Sequence, residues 1–144
     1  MDLAGHARER ERARDERGVL RRGCHSRRAK SGVETIVRAY LAFTRDHEVE
    51  ARSVHASAYA AFLPAHAVTI GAAKADAIAP IVAFVRKHVE DGAIVSLPGA
   101  LLETLLIGPP AETARRWLAG APDVDLAVAM KTLPARVWRS LATE

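Results

Sequence analysis

A chain of 144 residues with 49% apolar side chains, only 5% aromatics and a formal charge of +4 has the length of one domain and the means to bury a core. Its single cysteine, Cys24, excludes a disulfide framework or a cysteine-built metal cluster and fits the reducing cytosol. No apolar run approaches the roughly 18 residues of a membrane span, and the first residues hold no signal-peptide core, so a soluble cytoplasmic protein without membrane contact is expected.

The charge is unevenly placed. Residues 1–30 carry ten basic and five acidic side chains, net +5, which leaves −1 for the remaining 114 residues. This segment is poor in apolar residues, is punctuated by Gly18 and Gly23, and reads as a basic Arg-rich tail, disordered or a frayed helix. Its arginines alternate with acids from Arg8 to Arg17 and no aromatic residue is interleaved for base stacking, which favours a solvated tail over a nucleic-acid contact.

A folded domain, residues 31–144, opens at Ser31-Gly-Val-Glu34, whose spacing matches a capping box. Val33, Ile36, Val37, Tyr40 and Leu41 then recur at helical spacing, with a turn expected near His47. A second helix is expected over about 50–66, with His55, Tyr59 and Phe62 on a common side, and a third over about 68–91, bent at Pro80. Asp91-Gly92 is its stop, followed by a short link at Ala93–Val95.

Ser96 is expected to cap the fourth helix, with Pro98 in its first turn. Leu101, Leu102, Leu105 and Leu106 give that helix an apolar face. Gly108-Pro109-Pro110 should interrupt it, and a second segment restarts at Pro110, carries Ala111, Ala114, Trp117 and Leu118 on one side, and ends at Gly120 and Pro122. Asp123 is expected to cap a last helix whose Leu126, Met130, Leu133, Val137 and Leu141 form a packing seam, kinked or split at Pro134. The fold class is therefore all-α, a bundle of five helices with kinks.

The residues offer no chemistry. There is no phosphate-binding Gly-rich loop, no H-E-x-x-H, no C-x-x-C and no G-x-S-x-G. His6, His25, His47, His55, His66 and His88 are scattered without metal-ligand spacing, and Cys24 has no partner base. Neither a catalytic centre nor a metal or cofactor is expected.

Three stretches carry a resemblance: Val33 to His47, Ile81 to Ile94, and above all Leu106-Ile-Gly-Pro-Pro-Ala-Glu-Thr-Ala-Arg-Arg-Trp-Leu-Ala-Gly120. Over about four-fifths of its length, from Val33 onward, the chain resembles the C-terminal domain of tetracycline-repressor-type (TetR/AcrR) transcriptional regulators. The resemblance implies a homodimer whose last two long helices pair across a two-fold axis through Ala111, Ala114, Trp117, Leu118, Leu126, Met130, Leu133 and Val137. It also implies a pocket for a small lipophilic or aromatic effector, for which Tyr40, Phe43, His55, Tyr59, Phe62, Phe84 and Leu105 are the lining candidates. The alternative, that these side chains simply fill a core, stays open.

Such regulators begin with a helix-turn-helix module, and residues 1–30 contain nothing like one. The expected function is thus an effector-binding and dimerisation domain of a regulator that is truncated or mis-started, with specific DNA binding by this chain in doubt. Two alternatives stand beside it: a stand-alone module that sequesters a ligand or poisons a full-length relative by pairing with it, and a small basic nucleic-acid-associated protein.

Overall fold

The computed structural model describes residues 3–60 and 79–144. Among the described residues all regular structure is helical: α1 (Leu3–Asp46), α2 (Glu48–Ala60), α3 (residues 79–90), α4 (Gly99–Leu118) and α5 (Leu126–Leu141). The expected all-α bundle is what forms. The long α1 packs on α5 and α4, α4 packs on α5, and α2 touches both α1 and α4.

Helix α1 owes its place to a stripe of fully buried residues four apart, Ala29, Val33, Val37 and Leu41, which press on Leu106, Val137, Trp138 and Leu141 in one core. The expected start at Ser31 is not where the helix begins. Ser31 is exposed in mid-helix, and Glu34 reaches forward to Arg38 Nη2 at 3.3 Å instead of back to a cap. Two forces override the capping signal. The upstream residues are rich in Arg, Ala and Glu, all strong helix formers, and burial of Ala29 carries the core stripe past the cap position. Gly18 and Gly23, each costing about 1 kcal/mol in a helix, do not break it.

The turn at His47 is present and separates α1 from α2. Glu48 and Glu50 lie in the first turn of α2, where carboxylates favour the positive end of the helix dipole. The expected remainder of the second helix, 61–66, lies outside the described residues, as does residue range 68–78 of the third, and Pro80 stands at their edge.

Both predicted glycine stops are found, and for the same reason. Gly92 has φ 77° and Gly120 φ 78°, a left-handed conformation that a β-carbon penalises. In each case the glycine and the residue after it donate back: Gly92 N to Val89 O and Ala93 N to His88 O, then Gly120 N to Trp117 O and Ala121 N to Arg116 O.

Three further expectations are corrected. Pro98, not Ser96, precedes α4, with Leu101 N and Leu102 N donating to its carbonyl. Pro109 and Pro110 do not interrupt α4, which runs unbroken from Gly99 to Leu118. Leu102, Leu106, Pro110, Ala114 and Leu118 are all buried at four-residue steps, so one continuous packed stripe outweighs the local penalty of roughly 3 kcal/mol per interior proline. Asp125, not Asp123, caps α5: its backbone is extended and its Oδ1 accepts from Ala127 N at 2.8 Å and Val128 N at 3.2 Å. Pro134 is buried inside α5 and does not split it.

The α3–α4 link is held as a strand-like strap against the end of α5. Ile94 forms an antiparallel bridge with Ala142, Val95 N donates to Leu141 O at 2.8 Å, and Thr143 Oγ1 donates to Gly92 O at 2.8 Å.

Candidate functional site

Two of the proposed pocket residues meet. Tyr40 on α1 and His55 on α2 stand edge to face, ring centres 6.4 Å apart at 73°, with the phenol oxygen 3.5 Å from His55 Nε2. That separation is the outer limit of a hydrogen bond. Burial pushes the Tyr40 phenol above its ordinary value, and burial together with the Arg115 charge pushes His55 below its own, so both groups favour the neutral form. A half-buried neutral pair of this kind suits a ligand oxygen or nitrogen against an aromatic wall. Arg115 reaches this corner from α4, where it and Arg116 grip Glu112 at 2.6–2.8 Å and hold that carboxyl down at about 2. Leu105, also on α4, is half-buried against the core.

The other candidates go elsewhere. Phe43 is a correction: it is 42% exposed and stacks on His47, ring centres 5.2 Å apart at 26°. Three residues beyond Tyr40 falls about 60° short of a full turn, which carries Phe43 off the buried stripe. Phe84 sits over Gly32 and edge-on to His88 at 4.5 Å. Gly32 and Tyr40 are about 12 Å apart in helical rise, so Phe84 is not part of the Tyr40 corner. The Tyr59 side chain and Phe62 lie outside the described residues.

The proposed dimer residues divide in two. Ala114, Leu118, Leu126 and Val137 are buried within this chain, where they serve the core and present nothing to a partner. Ala111, Trp117, Met130 and Leu133 are only partly covered. Periodicity alone does not separate the two groups, because α4 and α5 first use one face of each on the other and on α1. Beside Leu133 runs an open groove of about 370 Å³ between the second half of α4, the α4–α5 turn and α5; Thr113, Val128, Ala129 and Thr132 line it, and Val128 is 58% exposed. Sequence reading missed Val128, which lies off the Leu126–Leu141 seam. A β-branched apolar residue beside an N-cap was the only signal for it.

Among the described residues no group of three or more His, Cys, Asp or Glu side chains is arranged to hold a metal ion, and no helix is long and apolar enough to cross a membrane. No protein-family model matches the chain, and no curated protein matches it.

Proposed function

We propose that this chain is an effector-binding and dimerisation module of the tetracycline-repressor type, pairing with a second copy through α4 and α5 and taking a small lipophilic or aromatic ligand near Tyr40 and His55. The observation that supports it most is the side of the α4–α5 hairpin that carries the open groove, where Val128 is mostly exposed beside the partly buried Ala129 and Leu133. A two-fold interface is self-complementary, so one such side serves both partners. The half-buried Tyr40–His55 pair supplies a polar handle of the sort that fixes an apolar ligand.

Sedimentation equilibrium tests the pairing. The wild type is expected near twice its 15.5 kDa mass, and V128D near the monomer mass with unchanged helical circular dichroism. A wild type that stays monomeric at on the order of 100 μM, where even a weak specific pair forms, overturns the reading. For the ligand, a panel of hydrophobic aromatic compounds should raise Tm of the wild type, and Y40F/H55Q should respond less.

A further inference from the structure

We propose that His88, Asp91 and His25 form an acid-released latch that fastens α1 to the end of α3 and to the strap that follows it. His88 is 4% exposed, and neither its Nδ1 nor Asp91 Oδ2, both buried, has a hydrogen-bond partner among the described residues. The two atoms are 4.0 Å apart, and His25 Nδ1 on α1 lies 3.4 Å from the same carboxylate oxygen, within ion-pair reach but out of hydrogen-bond alignment. Two imidazoles from two helices thus share one carboxylate. Unpaired buried polar atoms are costly, and a native structure keeps them where they serve a purpose.

The charges around the cluster set its direction. The Asp91 carboxylate favours a charged His88, while Lys87 on α3 and His25 and Arg28 on α1 oppose it. From the α5 end the Thr143 hydroxyl donates to Gly92 O and backbone groups close the strap. Burial, the largest influence, pushes His88 below its ordinary value of 6.5. An opened latch therefore binds the proton more readily than a closed one. The closed form is fully favoured above pH 6.5 and loses ground as pH falls below it.

His88 also stands where the elements join. Its carbonyl accepts from Ala93 N at 2.9 Å and Ile94 N at 3.0 Å, and Ile94 bridges to Ala142 at the end of α5. Phe84, edge-on to the His88 ring, covers Gly32 of α1. A charged His88 that seeks water disturbs α1, the strap and the α5 terminus together. This device does not depend on the dimerisation reading.

Amide hydrogen exchange of the whole chain tests it. Protection of residues 22–32 and of Ala93 and Ile94, corrected for intrinsic rates, is expected to fall several-fold from pH 7.5 to 5.5 in the wild type. H88Q should be equally protected at both, and D91N should be loosened already at pH 7.5. Equal protection of the wild type at the two pH values overturns the latch, and so does a wild-type pH response in H88Q. Should H88Q fail to fold, an NMR titration of the wild type decides: the Ala93 and Ile94 amides must shift with His88, and their silence during its titration overturns the proposal.

Discussion

Gly32 on α1 and Phe84 on α3 occupy one space: a β-carbon on Gly32 would run into the tip of the Phe84 ring, so this glycine is required by a neighbour and not by its own backbone. The position is helical, where alanine is intrinsically favoured by about 1 kcal/mol. G32A is nevertheless expected to destabilise the fold by about 1–3 kcal/mol in urea unfolding, because the ring must leave its packed position. Adding G32A to F84A should instead be neutral or stabilising. A G32A that is more stable than wild type would refute this packing.

Asp125 and Asp123 provide a test of which residue caps α5. D125A is expected to cost about 1 kcal/mol, since it strips the acceptor from Ala127 N and Val128 N. D123A, in the turn before, should stay within about 0.5 kcal/mol of wild type. Thermal unfolding of the two variants side by side reads the difference directly.

Arg52 ties α2 to the last turn of α4, with Nη1 donating to Leu118 O at 2.7 Å while Nη2 meets Glu48 Oε1 at 2.8 Å. A cation at the negative end of a helix and a charge-assisted hydrogen bond act together there, on a side chain that is about half exposed. R52M should therefore cost about 1 kcal/mol by urea unfolding, whereas E48Q, which breaks only the exposed ion pair, should cost less than about 0.5.

Glu112 sits between Arg115 and Arg116 on an exposed face, and their hydrogen bonds lower its carboxyl from 4.5 to about 2. The folded value lies below the unfolded one. The stabilisation this gives is therefore complete above pH 4.5 and is lost as pH falls through about 2. Carboxyl-carbon NMR should find a midpoint near 2 for Glu112, and R115Q/R116Q should return it toward 4.5. High salt should narrow the gap, as it does for exposed pairs.

How much of this was legible in the sequence depended on whether the deciding interaction is local. The helical spacing of Val33, Val37 and Leu41, and of Leu126, Val137 and Leu141, marked the packing faces of their helices, because period and amphipathicity are properties of a single segment. The stops at Gly92 and Gly120 were legible for the same reason: a positive φ is nearly a glycine property. The turn at His47 followed from a break in the apolar pattern.

What failed was each choice between two locally similar options. Ser31 or a continued helix, Pro109–Pro110 as a break or as an interior kink, Asp123 or Asp125 as the cap: each pair differs by at most a few kcal/mol on its own, and burial decided. Ala29 drew α1 through Ser31, and Leu106, Pro110 and Ala114 drew α4 through its prolines. The same holds for the candidate site. The family resemblance named Tyr40 and His55 as pocket candidates, yet only packing set them 3.5 Å apart, turned Phe43 outward, and spent Ala114, Leu118, Leu126 and Val137 on the chain's own core. Periodicity says which side of a helix is apolar. Which neighbour covers that side depends on contacts distant in sequence, and only the tertiary structure fixes them.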